Sequence, residues 1–228
     1  MSQRPWHHFS CETVLEEFKS SARGLSSQEA TRRKLVDEPN SLPKKAVDHW
    51  LEVLARQFMN PLIIVLLIAG VLSAILNEWM DAGVIAGAVL FNTLIGFIQE
   101  YKANKSFERL QSLVLPRCMV LRDGLEREID AREIMSGDVL ILRTGDRVSA
   151  DARLLEAIEL SVDESTLTGE SAPVSKMMDV LSSDTILAQR RNMVFAGTSI
   201  VGGRGFAVVV ATGSQTELGK IATLVEDT

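Results

Sequence analysis

Cysteine is scarce in this sequence. Cys11 and Cys118 lie far apart and belong to no CxxC or Cys/His cluster, which excludes a disulfide framework and a cysteine-based zinc site. His7 and His8 precede Cys11, but a third and a fourth ligand are missing, so the pair reads as ordinary surface. Positive charge is in deficit: the net charge is −6 and the pI about 5.2, so no global field draws the chain to nucleic acid. The N-terminus, MSQRPWHHFSCETVLEEF, lacks the apolar run of a secretory signal. Complete phosphate loops are missing as well. Between Gly213 and Gly219-Lys220 stand five residues rather than four, with Ile221 where a hydroxyl is required. Gly203-Arg204-Gly205 has no third glycine, and Pro173 spoils a nucleophile elbow at Gly169-Glu170-Ser171.

What is present is apolar and localised. Of 228 residues 46% are hydrophobic, and the mean hydropathy is +0.13, too apolar for disorder and high for an ordinary soluble domain. The excess sits in Pro61–Leu76, PLIIVLLIAGVLSAIL, and Ala82–Gln99, AGVIAGAVLFNTLIGFIQ, neither of which carries a charge. With their flanks these approach the roughly 20 residues that cross a bilayer. Two buried helices of a soluble protein are the alternative, although these are hydrophobic on every face and in tandem. Val47–Phe58 reads as an amphipathic lead-in with Trp50, Val53, Leu54 and Phe58 on one face. Lys44, Lys45 and Arg56 precede the pair and Lys102, Lys105 and Arg109 follow it, while the link holds only Glu78 and Asp81. By the positive-inside rule both flanks face the cytoplasm. Gly83 and Gly87 offer a small-residue face suited to close packing on another helix.

Around this hairpin the pattern differs. Ser10 can cap a helix bearing Val14, Leu15 and Phe18, and Ser26 with Glu29 forms a capping box for a second one through about Val36, stopped by Pro39 and Pro43. Helical pattern runs on to about Leu113. Thereafter short alternating segments are punctuated by Asp123-Gly124, Gly137-Asp138, Gly145-Asp146 and Gly202-Gly203. These predict an antiparallel β-sandwich or barrel with a strand pair turning at Gly202-Gly203. A last helix is expected over Gln215–Val225.

Residues 163–176 read DESTLTGESAPVSK. A carboxylate flanked by glycine and hydroxyls on a loop can position a water for in-line attack on a phosphoryl group. The chain offers Glu170 no phosphate cradle, metal cluster or covalent nucleophile, so its reaction partner must lie elsewhere. Asp163 and Glu164 read as solvated surface.

Leu167-Thr168-Gly169-Glu170-Ser171 with Pro173, Val174 and Lys176 closely resembles the actuator signature of P-type cation-transporting ATPases. Four further blocks match in order: Gly24-Leu25-Ser26 through Leu42, Gly96-Phe97-Ile98-Gln99-Glu100, Gly137-Asp138-Val139 through Asp151, and Gly197-Thr198 through Lys220. The resemblance covers nearly the whole chain. Ser149 stands where the family usually has proline, which should loosen a turn slightly. No DKTGT motif occurs, and the chain looks like the N-terminal third or quarter of a pump.

The resemblance implies a membrane protein of α+β class, a transmembrane helical hairpin joined to a cytoplasmic actuator domain. The expected division is 1–56 as N-terminal helical region with lead-in, 57–101 as hairpin, and 102–228 as a distorted β jelly roll carrying TGES. It implies that Glu170 promotes hydrolysis of an aspartyl phosphate, that Thr168 and Gly169 shape the approach to the phosphoryl group, and that Ser171 supports the loop. No cofactor or metal is expected in this chain, which alone should be inactive; ATP and Mg²⁺ are implied for the full-length pump. The implied partners are the bilayer, the phosphorylation and nucleotide-binding domains, the remaining transmembrane helices, and a cation of the Ca²⁺ or Na⁺/K⁺ type, with no nucleic acid. The implied location is the cell membrane, with both ends of the chain cytoplasmic. A reading from another class is a standalone, membrane-anchored actuator-like protein that regulates a pump without catalysis.

Overall fold

The computed structural model describes residues 4–41, 59–113 and 117–226. The chain divides into two compact units, 1–44 with 115–228, and 45–114.

The first unit begins with two short helices, α1 (Cys11–Glu17) and α2 (Ser27–Val36). Both start where a serine side chain accepts an orphan amide, Ser10 from Thr13 N–H and Ser26 from Glu29 N–H. The anticipated capping box is only half made. The Glu29 carboxylate turns away to Arg32 and Arg33, each at 2.8 Å, and Arg33 donates onward to the carbonyls of Ser136 and Phe18.

The strands are β1 (Arg117–Arg122), β2 (Leu125–Asp130), β3 (Val139–Arg143), β4 (Asp151–Asp163), β5 (Val174–Ser175), β6 (Met193–Val194) and β7 (Ser199–Ala211). All are antiparallel and joined in one sheet, ordered β2-β1-β3-β7-β4-β5 with β6 also on β4. Asp123 and Gly124, at φ 55° and 75°, form the two-residue turn that the Asp-Gly pair predicts. Gly202-Gly203 is different from expectation. β7 runs straight through it, paired with β4 on both sides. A Cβ on Gly203 would lie 2.3 Å from the Glu159 carbonyl oxygen, and the register shifts nearby, so these glycines serve a bulge and a close strand approach, not a turn.

Alternation along β7 supplies two cores. Ala207 and Val209 join Val120, Leu140, Leu142, Ala152 and Leu154. Val208 and Val210 point the other way to Met193 and Phe195, where Val14 of α1 covers them with Trp6, Phe9 and Phe18 at its edge. Each fully buried Val or Leu contributes about 1.5–3 kcal/mol. His7 is a correction to the sequence reading: it is 1% exposed, because its carbonyl accepts from Leu181 N–H and Asn192 Nδ2 and draws the segment inward.

The second unit holds α3 (Pro61–Ile75) and α4 (Trp79–Leu113). Asn60 caps α3 through the Leu62 amide, with Pro61 in the first turn. The link is shorter than the sequence suggests, since helix resumes at Trp79 after Asn77 adopts φ 59°. A Cβ on Gly70 would lie 3.2 Å from Ile85 Cγ2, so the two helices meet closely there. Gly83 and Gly87 have no neighbour within 4 Å of a built Cβ; the small-residue face is not the one turned to α3. Among the described residues one stretch, Trp79–Gln99, is long and apolar enough to cross a membrane, at mean hydropathy 1.8. The 15 residues of α3 reach about 22 Å, short of a core of about 30 Å. The lead-in Val47–Phe58 lies outside the described residues.

Candidate functional site

β4 leaves the sheet at Asp163, and the chain returns as β5 at Val174. Ser161 pairs with Ser175 and Val162 with Val174, so the intervening loop springs from a closed two-strand stem. One helical turn, α5 (Ser165–Thr168), rises from it. Asp163 Oδ1 accepts the Ser165 amide at 3.0 Å, a local turn bond two residues on, and this holds its carboxyl below the ordinary range.

The turn closes on the Glu164 carbonyl oxygen. It accepts from Leu167 N–H at 2.9 Å, Thr168 N–H at 3.0 Å and the Thr168 hydroxyl at 3.1 Å. Gly169 ends the turn at φ 75°, its amide donating to the Ser165 carbonyl. A side chain there would meet no neighbour within 4 Å, so the left-handed backbone, not space, calls for glycine. The Glu170 amide donates back to Thr168 Oγ1 at 3.3 Å. Leu167 packs on the cluster of Met193, Phe195 and Val208, anchoring the turn from below.

Thr168, Gly169, Glu170 and Ser171 are thus brought together at the tip of one loop, with Gly169, Glu170 and Ser171 exposed. Ser171 makes no hydrogen bond among the described residues; the hydroxyl that holds backbone here is that of Thr168. A carboxylate presented this way, exposed at a loop tip, can accept a proton from a water on a surface brought against it. The cleft of about 1080 Å³ in this unit is lined by Phe18, Arg33, Val36, Met135, Thr212 and others, none of them from the loop tip. Among the described residues no group of His, Cys, Asp and Glu is arranged to hold a metal. His8 Nδ1 lies against the Leu181 carbonyl, and Cys11 donates to that of Leu154.

Glu164 corrects the sequence reading. It is 2% exposed, and Oε1 accepts from Lys176 Nζ at 2.5 Å. Burial pushes the Glu164 carboxyl up and the Lys176 ammonium down, each opposed by the other's charge. Lys176 Nζ also lies 5.8 Å from the Phe195 ring centroid. The signal for this pair lay in the period of β4 continued one residue past its end: Leu160, Val162 and Glu164 occupy alternate positions, and the first two are buried, so the third follows them inward.

Residues 112–226 match the family described as the P-type ATPase actuator domain. The chain belongs to the P-type ATPases. Residues 6–73 further match the N-terminal region of cation transporter ATPases. This P-type ATPase chain is 45% identical over 202 residues to a probable cation-transporting ATPase F of Mycobacterium tuberculosis, an alignment covering 89% of the chain and 22% of the relative. To a calcium-transporting ATPase of Listeria monocytogenes it is 39% identical, over 92% of the chain and 24% of the relative. To the rat calcium-transporting ATPase type 2C member 2 it is 42% identical, over 87% of the chain and 21% of the relative. The chain therefore spans under a quarter of the length of these relatives.

Proposed function

We propose that this chain is the N-terminal part of an ATP-driven cation pump, and that its β-rich unit brings Glu170 to an aspartyl phosphate formed in another domain. The observation that carries this reading is an exposed Gly169–Ser171 tip on a turn closed by the Thr168 hydroxyl, within the segment that matches the actuator family. Glu170 accepts a proton from water as the water oxygen attacks phosphorus. The bond from phosphorus to the aspartyl oxygen breaks, releasing inorganic phosphate and the free carboxylate. Thr168 orients the Glu170 amide, and Gly169 lets backbone approach the phosphoryl group. The chain alone neither binds nor hydrolyses ATP. ATP and Mg²⁺ belong to domains beyond the actuator, as do the groups that hold the ion. Two relatives named as calcium-transporting favour Ca²⁺ over Na⁺ or K⁺ as cargo. The α3–α4 pair lies in the cell membrane with cytoplasmic flanks, and rotation of the actuator couples hydrolysis to gating through it.

The test is phosphoenzyme decay in the full-length pump. Glu170→Ala and Glu170→Gln should be phosphorylated by ATP yet dephosphorylate roughly 10²–10⁴-fold more slowly, the usual worth of general-base assistance. Glu156→Ala, at an exposed position of β4, should decay normally. Wild-type decay in the folded Glu170 variants would overturn the reading.

A further inference from the structure

We propose that Glu164 and Lys176 are positioning residues for dephosphorylation: their buried ion pair ties the first residues of the Thr168–Glu170 loop to the sheet and sets where the Glu170 carboxylate stands. This rests on the role given to Glu170 above.

The ladder between β4 and β5 ends at Val162 and Val174. Beyond that point the loop has no paired strand to define its direction. Glu164 lies inside this gap, two residues past Val162, while Lys176 lies on the sheet side of the ladder, next to the paired Ser175, and their side chains are 2% and 0% exposed and 2.5 Å apart. The Lys176 amide is itself fixed on the Leu160 carbonyl at 2.8 Å, so the clamp is tied to the sheet.

From the clamp a continuous series of bonds leads to the reacting group. The residue whose carboxylate grips Lys176 also presents the carbonyl that accepts the Thr168 hydroxyl, and the oxygen of that hydroxyl accepts the Glu170 amide. Rotating Glu164 displaces its carbonyl and with it the whole turn. Cation and carboxylate buried together bring little net stability, because desolvation consumes most of their attraction. An apolar pair would fill this space at no greater cost. What an apolar pair lacks is a single directed bond at the loop base, and an exposed tip whose Glu170 must meet a phosphoryl group depends on that direction.

The experiment is a double-mutant cycle in the full-length pump, read as phosphoenzyme decay after ATP is removed. Lys176→Met leaves a carboxylate unpaired, whereas Glu164→Gln keeps the size and the acceptor oxygen facing Lys176. Phosphorylation from ATP should proceed in both. Decay should slow roughly 10- to 100-fold in Lys176→Met, the scale of a misplaced catalytic group, and recover most of the way to wild type in Glu164→Gln relative to Glu164→Leu. In a Glu170→Ala background, Lys176→Met should add little further slowing, since a positioned group that is gone cannot be mispositioned. Equal slowing in both backgrounds, or Glu164→Gln no better than Glu164→Leu, overturns the clamp while leaving Glu170 in its role. Failure of Glu170→Ala to slow decay refutes the underlying reading instead, and the clamp with it. If Lys176→Met does not fold, the comparison of Glu164→Gln with Glu164→Leu in the two backgrounds decides the same question.

Discussion

Asp151 places both carboxylate oxygens in the interior, one accepting the Ala196 amide and the other the Glu217 amide, each at 2.8 Å. Burial outweighs these donors and pushes its pKa up to about 6 from 3.8. The unfolded chain therefore releases this proton near the ordinary value, while the folded chain holds it about two units longer. Folding stability from this group is complete below the unfolded pKa and falls as pH rises through the folded one. The loss between about pH 4 and pH 6 is on the order of 3 kcal/mol. In Asp151→Asn that slope should vanish, so the stability advantage of the native chain over the variant should shrink by about that amount from pH 4 to pH 7. Urea unfolding at both ends of this range checks it. Most other shifted carboxylates move the opposite way. Glu29, beside Arg32 and Arg33, is held down to about 2, so its contribution is full above the ordinary carboxylate range and is lost as pH falls from there through about 2.

α1 illustrates an element that cannot stand alone. Seven residues are too few for a stable isolated helix, so α1 exists because its surroundings hold it. Val14, Trp6, Phe9 and Phe18 lie on the sheet, and two buried polar side chains secure the approach. Asn192 Nδ2 donates to the carbonyls of His7 and Asp179 at 2.8 and 2.7 Å. Arg153, 0% exposed, donates to the carbonyls of Leu154, Asn192, Met178 and Phe9. Asn192→Ala should leave buried acceptors without their donor and cost roughly 1–3 kcal/mol. The loss should be local: hydrogen exchange should quicken through 6–18 while β3 and β7 stay protected. Uniform loss of protection across the sheet would show that Asn192 supports the whole unit instead.

At the scale of the whole molecule, the proposed crossing of the bilayer has a defined orientation. Lys and Arg residues stand before Met59 and after Gln99, and only Glu78 and Asp81 stand near the link. Retaining Lys and Arg on the cytoplasmic side favours both flanks inside. In a variant lacking Cys11 and Cys118, Glu78→Cys should react with a membrane-impermeant thiol reagent on intact cells, and Ser106→Cys should not. Labelling at 106 but not at 78 would reverse the topology and remove the actuator from the compartment where ATP is supplied.

Local chemistry by itself determined much of this protein. Ser10 and Ser26 mark helix starts because a hydroxyl satisfies amides within three residues, and Asp123-Gly124 marks a hairpin because both backbones take positive φ at low cost. The apolar runs at Pro61–Leu76 and Ala82–Gln99, and the crowding of Gly, Glu and hydroxyls at 168–171, are likewise visible without a fold. Gly202-Gly203 misled because a glycine pair suits a bulge as well as a turn, and only the pairing of β7 with β4 chooses between them. Glu164, Arg153 and His7 looked solvated or were passed over because charge and polarity favour water until a partner is supplied. Those partners, Lys176 for Glu164, four carbonyls for Arg153, and Asn192 with Leu181 for His7, are distant in sequence or hidden in the backbone. Burial of a polar group is settled by the hydrogen bonds waiting for it inside, and these exist only once the sheet has formed.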